Sequence, residues 1–272
     1  NNSISFDGVS EKGETEESDK YSSGAFSRIE NGGEGKSGNI SINTEKLYKK
    51  NRAVLTTSTF GKQGAGSKDI KSKEVTVDGE SPAAFSSGIY SRILKGGAGQ
   101  GGSIDIDTDN LSVTNGGRLA TSSLGNGDAG DITINARDTV SFNDISSKGK
   151  QNNSLQVDRY SSGIFSRVER NENDALDTRK SGNISIGTRK LFITNGALFT
   201  TSTFGMQKAG NINIKATDEV EIIGTGANTF SSGVYSRTLK DADGSAGDIK
   251  IETGKLSVAD NALIEATSRL SN

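Results

Sequence analysis

Four stretches of the chain repeat one string: SSGAFSR from Ser22, SSGIYSR from Ser86, SSGIFSR from Ser161 and SSGVYSR from Ser231. Each copy sets an aromatic ring two residues before an arginine. Aromatic faces stack on sugar rings, and a guanidinium fork grips carboxylate or sulfate. Residues two apart in a strand share a face. If Ile89, Ser91 and Ile93 point inward, Tyr90 and Arg92 point outward together, and the same logic pairs Phe26 with Arg28, Phe165 with Arg167 and Tyr235 with Arg237. Such a set is a candidate track for an acidic polysaccharide. Two plainer readings stand beside it: the rings pack under neighbouring loops while the arginines pair with nearby acids, or another register turns the rings inward.

A second group is acidic. DIDTDN places Asp105, Asp107 and Asp109 at alternate positions, and GNGDAGDITI adds Asp128 and Asp131 about one repeat later. Carboxylates beside glycine turns can hold calcium through oxygen, and paired carboxylates can also cleave a glycosidic bond. The plain alternative is an acidic outer surface, and the run lacks the glycine-aspartate nonapeptide of calcium-loaded rolls. GGAGQGG from Gly96 has no following GK[ST], so its glycines read as turns and not as a phosphate cradle. The Asn-Ile-Ser triplets at Asn39 and Asn183 lie inside a strand motif.

Composition removes other chemistries. Without a single histidine or cysteine the chain has no His- or Cys-ligated zinc site, no thiol nucleophile, no disulfide and no imidazole base. A formal net charge of −2 supplies no bulk field toward nucleic acid or an anionic membrane. No apolar run approaches the roughly 18 residues that a membrane helix needs. At 31% hydrophobic residues the core must be thin, which favours an elongated shape.

The elements that would position these residues repeat along the chain. Glycine followed by alternating apolar residues opens units at Gly38, Gly102, Gly182 and Gly247, and a second series opens at Gly66, Gly130 and Gly210. Gly38 to Gly66, Gly102 to Gly130 and Gly182 to Gly210 each span 28 residues, whereas the next step of each unit varies. Within a unit the apolar residues alternate, as in Ile104, Ile106, Leu111, Val113 and Leu119, which is strand periodicity. We expect an all-β, right-handed parallel β-helix with three short strands per coil and about seven to eight coils. A propeller would need units of regular length, and these are not. In this alignment Lys49 stands where Val113 and Ile193 stand, and Lys68 where Ile132 stands. Either these lysines snorkel outward or the register slips near residues 46–53 and 66–75. Length variation beside the repeated string falls at 11–20, 146–159 and 169–180, where solenoids often place binding.

The run LFITNGALFTTSTFGMQKAGNINIKATDEVEIIG, followed by SSGVYSR and GDIKIETGKLSVADNA, resembles the repeats of large secreted exoproteins of the filamentous haemagglutinin type, in the form common among cyanobacteria. The resemblance covers almost the whole chain. It implies a right-handed parallel β-helix exported through an outer-membrane two-partner secretion transporter, placed outside the cell or on its surface, with adhesin roles in some members. Residues 1–272 then read as a single β-helical segment excerpted from a longer protein. The expected function is a structural or adhesive rod, not an enzyme, that contacts cell-surface or matrix polysaccharide through the aromatic-arginine ladder. No cofactor is expected apart from calcium at the aspartates. The alternatives are a β-helical polysaccharide-degrading enzyme and the subunit of a filament built by self-association end to end.

Overall fold

Alternation of apolar and polar residues gives each segment one face to bury, and short strands with such a face are stable only when neighbours stack on it. The computed structural model describes residues 2–8, 22–79, 86–146, 161–169, 178–204, 206–224, 231–239 and 244–268; the variable segment 11–20 and most of 146–159 and 169–180 lie outside them. Among the described residues every regular element is a strand. One sheet holds the long strands β1 (Ser3–Asp7), β3 (Ile40–Lys50), β5 (Lys68–Asp78), β7 (Ile104–Thr114), β9 (Ile132–Asn143), β11 (Ile184–Thr194), β13 (Ile212–Ile223) and β15 (Ile249–Ala259). The other holds the short strands β2 (Gly24–Ile29), β4 (Val54–Thr59), β6 (Gly88–Ile93), β8 (Arg118–Ser123), β10 (Gly163–Val168), β12 (Leu198–Thr203), β14 (Gly233–Thr238) and β16 (Leu263–Thr267). Every neighbouring pair is parallel. The chain therefore alternates between two eight-stranded sheets and advances one strand per turn. It is a parallel β-helix of eight rungs, about 34 Å from first to last.

The first two of the three segments read in each coil run on as one bent strand. GSIDI and NLSVT join in β7, which continues from Ile104 to Thr114 although Asp109 is left out of the pairing with both neighbouring strands. The bend appears as register irregularities at Thr108/Asn110, Thr188/Lys190 and Ala216/Glu219, and β9 and β13 absorb one extra residue there.

Inside, like stacks on like. Ile42, Ile70, Ile106, Ile134, Ile186 and Ile214 form one column. Leu55, Ile89, Leu119, Ile164, Phe199 and Val234 face them from the short sheet. Phe142 meets Phe199 edge to face at 4.7 Å. The terminal rung differs, since Leu256, Val258, Leu263 and Ile264 are all more than a third exposed.

One corner is built without side chains. A Cβ on Gly66, Gly102, Gly130, Gly182, Gly210 or Gly247 would sit 2.0–2.2 Å from the carbonyl oxygen of the corresponding glycine one rung earlier. Buried hydroxyls complete that corner. Thr57, Thr121 and Thr201 donate to the carbonyls of Gly66, Gly130 and Gly210 at 2.5, 2.5 and 2.6 Å, and Ser166 and Ser236 accept the amides of Gly182 and Gly247 at 2.7 Å. The next residue adds an external ladder, in which Asn39, Asp131, Asn183 and Asn211 accept the amides of Ser67, Asn183, Asn211 and Asp248.

Lys49 and Lys68 neither snorkel nor slip. Lys49 pairs with Val77 and Lys68 with Ile104, in the expected register, and both point into the core with no exposed surface. The Lys49 Nζ donates to the carbonyls of Ala53 and Gly88 at 2.9 and 2.6 Å, and the Lys68 Nζ donates to Thr57 Oγ1 at 2.6 Å. Burial holds both amines well below the ordinary lysine range, assisted by the charge of Lys68 on Lys49 and of Arg92 on Lys68.

Two expectations follow. Gly130→Ala and Gly182→Ala should each lower stability by about 2–3 kcal/mol in urea melts, whereas Gly187→Ala, whose Cβ would meet nothing closer than 3.5 Å, should stay within about 0.5 kcal/mol. For the lysines the folded state binds fewer protons than the unfolded one between the lowered pKa and the ordinary value near 10.5. Stability should therefore rise with pH across that window and fall as pH drops, by somewhat more than about 1 kcal/mol per pH unit for each amine. Combining Lys49→Val with Lys68→Ile should raise the melting temperature at pH 7 and flatten this slope up to pH 10.

Candidate functional site

The repeated string occupies the short sheet in every second rung: β2, β6, β10 and β14. Alternation turns Phe26, Tyr90, Phe165 and Tyr235 outward, with Thr56, Ala120 and Thr200 between them in register. The rings thus recur every two rungs, roughly 9–10 Å apart. Each arginine lies over its own ring, the guanidinium carbon being 5.9 Å from the ring centre for Arg28, 4.1 Å for Arg92, 5.9 Å for Arg167 and 4.8 Å for Arg237. The expected pairing on one face is present, and Arg118 from the rung before adds a second cation 3.9 Å over Phe165. Sequence reading missed Arg118, although its place one residue before inward Leu119 marks it as outward.

The faces of these rings are occupied. Tyr90, Phe165 and Tyr235 are only 6, 3 and 7% exposed, and Phe26, near the first rung, is 42% exposed. The glycine two residues before the ring is its seat. A Cβ on Gly88 or Gly233 would stand 2.4–2.5 Å from the tyrosine ring, and one on Gly163 would stand 3.0 Å from Phe165. The Tyr90 hydroxyl closes the loop by donating to the Ser86 carbonyl at 2.9 Å. The other letters are equally committed. Ser162 and Ser232 accept the amides of Gly116 and Gly196 in the turns of the rung before, and Ser166 and Ser236 belong to the buried hydroxyl column.

The guanidiniums of Arg28 and Arg167 remain nearer the surface, whereas Arg92 Nη2 and Arg237 Nε are buried. Arg28 Nε donates to Ser58 Oγ at 3.1 Å and Arg167 Nε to Ser202 Oγ at 3.3 Å, each bridging to the following rung. Glu30 and Glu169 lie 3.9 and 3.4 Å from these two guanidiniums, whose side chains keep 22 and 21% exposure. The arrangement presents supported, partly neutralised guanidinium edges, not open aromatic platforms.

The aspartates are distributed among separate tasks. Asp105 accepts Ser103 Oγ at 2.6 Å, Asp107 accepts Asn135 Nδ2 at 3.1 Å and Asp109 pairs with Arg137. Asp128 and Asp131 accept the amides of Lys180 and Asn183 at 2.8 and 2.7 Å. Among the described residues no three acidic side chains come together as a metal-binding group.

Sequence reading also missed a groove of 830 Å³ on the outer side of the long sheet, where the strands bend. Asn43, Lys71, Asp107 and Asn135 stand along it exposed, one per rung, and of the residues that follow them Ser72, Thr108 and Ala136 are buried. The only signal in the sequence is that these positions lie between the two halves of a long strand. Among the described residues no helix is long and apolar enough to cross a membrane. No family model, no curated protein and no solved structure matches the chain, so its structure and its motifs carry the functional reading.

Proposed function

We propose that this protein is part of a secreted cell-surface exoprotein of the filamentous haemagglutinin type, exported by a two-partner secretion transporter, and that it works as a stiff structural or adhesive rod. The observation that carries this reading is the unbroken parallel stacking of eight rungs in both sheets. A solenoid transmits rigidity along its axis because each rung bonds to both neighbours, and it offers the same side chains at a fixed interval to whatever lies alongside. The phased repeats and their resemblance to that family support the export route and the location.

Adhesion is assigned to the short sheet. Arg28, Arg92, Arg167 and Arg237 form a row of guanidinium groups, each against its own ring, that suits carboxylate or sulfate groups spaced along an acidic polysaccharide. In this arrangement the rings orient the arginines and leave sugar contact to the guanidinium groups.

The test is binding to an array of acidic and neutral bacterial polysaccharides. The wild type should bind an acidic member, a variant with all four arginines changed to Ala should lose at least tenfold, and the all-Lys variant should fall between, because lysine keeps the charge and loses the planar fork. Circular dichroism and melting curves establish that the variants remain folded. Equal binding by wild type and a folded all-Ala variant would make the row a scaffold feature and remove the adhesive assignment.

A further inference from the structure

Asparagine followed by glycine is the dipeptide most prone to lose its side-chain amide, because glycine has no Cβ to obstruct attack by its own backbone nitrogen. The pair occurs at Asn31, Asn115, Asn126 and Asn195. The fold treats these four copies differently.

Asn115 and Asn195 form equivalent turns between a long strand and the short strand that follows it. The amides that would attack, those of Gly116 and Gly196, are buried and donate to Ser162 Oγ and Ser232 Oγ, each at 2.9 Å. The carboxamides are tied as well, since Asn115 Nδ2 donates to Asp78 Oδ1 at 3.0 Å and Asn195 Nδ2 to Asn143 Oδ1 at 2.8 Å. Asn126 is exposed, yet its backbone is held on both sides: its amide donates to the Gly97 carbonyl at 2.7 Å, and its carbonyl accepts the Gly99 amide at 3.2 Å. Gly127 is pressed against the rung before, where a Cβ would stand 1.7 Å from the Gly99 carbonyl oxygen.

Asn31 lies in an exposed turn after β2, in which the Gly33 amide donates to the Glu30 carbonyl at 3.0 Å and Gly32 takes φ +80°. The space around Gly32 is open, and a Cβ there would meet nothing within 4 Å. Among the described residues nothing bonds the Asn31 carboxamide or the Gly32 amide.

We propose that Asn31 is a site of self-modification, where the carboxamide becomes a carboxylate without an enzyme while the other three Asn-Gly pairs persist. The Gly32 nitrogen attacks the Asn31 side-chain carbonyl carbon and bonds to it. The bond from that carbon to the side-chain nitrogen breaks, and this nitrogen takes up the Gly32 proton and leaves as ammonia. Water then opens the cyclic imide at either carbonyl, giving aspartate where the side-chain carbonyl is cut and isoaspartate where the backbone carbonyl is cut. No electrons change hands.

The sites differ in the cost of reaching the cyclic geometry. At Asn115 and Asn195 the attacking nitrogen must first leave a buried serine, and at Asn126 the contact between rungs must open, so each reacts only in locally opened molecules. At Asn31 the turn bond from the Gly33 amide involves no atom of the ring that forms. The product carboxylate stands one residue beyond Glu30, whose own carboxylate lies 3.9 Å from Arg28. Modification therefore adds negative charge near the first arginine of the row.

The experiment incubates the folded chain at mildly alkaline pH, well below its melting temperature, and follows all four sites in one sample by peptide mass spectrometry. Isoaspartate is counted by methyl transfer with an isoaspartate-specific methyltransferase. Aspartate plus isoaspartate should accumulate at Asn31 about tenfold faster or more than at Asn115, Asn126 or Asn195, because only those three need local opening. The rate should rise with pH, since the attacking species is the deprotonated Gly32 nitrogen. In unfolding concentrations of urea the four rates should converge. Gly32→Ala, placed in the open part of the turn, should slow conversion at Asn31 and leave the other sites unchanged. No conversion at Asn31, an equal or faster rate at another site of the folded chain, or no slowing in Gly32→Ala would overturn the inference. A rate difference that persists undiminished in urea would do the same, because it would belong to local sequence and not to the fold.

Discussion

Everything in this molecule depends on one kind of close approach, most regular at the Gly66–Gly247 corner: the backbone of one rung touches the backbone of the next with no side chain between them. Parallel strands about 4.8 Å apart leave no room for a Cβ that points along the rod axis, so the corner must be glycine. The contact brings carbonyls and amides into an interior without water, where unpaired groups are costly. A buried column of Ser and Thr hydroxyls meets them from the short sheet. Glycine and hydroxyl are thus two halves of one device, and the serine before the arginine in the repeated string is one of its members.

The same string shows how structural and functional demands are layered on one strand. Its glycine seats the ring, its serines bond a turn and the corner, and its arginine lies over the ring and bridges to the next rung. Little in the string is left over for a ligand except the outer edge of the guanidinium. The adhesive reading accordingly shifts from rings to arginines. The groove on the opposite sheet lies beside the register irregularity that these long strands share at Thr108/Asn110.

The core also tolerates a local conflict. Lys49 and Lys68 occupy aliphatic columns near the first rungs, and backbone carbonyls and a threonine hydroxyl replace the water they have lost. Desolvation in such a place holds each amine well below the ordinary lysine range. Later rungs carry only apolar residues at the corresponding positions, Ile184, Ile193, Ile212 and Ile222 among them, so these two buried amines are confined to the second and third rungs.

Periodicity alone was enough to determine the strands, the parallel stacking, the phase of the repeat and the outward pairing of each ring with its arginine. Alternation at every second residue is local, and a rung makes contacts only with its neighbours, so a repeated pattern leaves few other ways to bury the apolar face. Tertiary structure decided the rest. Whether two predicted strands join depends on pairing across rungs, and that is why GSIDI and NLSVT became one strand. The placement of Lys49 and Lys68 was legible as an anomaly, but only the surrounding carbonyls show that the core accommodates them. Alternation puts Tyr90 outward yet says nothing about what lies above it, so its burial under Arg92 and the cover of Phe165 by Arg118 emerge only in three dimensions. The groove is likewise invisible along the chain, because its walls come from successive turns 28 or more residues apart that meet only when the coil closes.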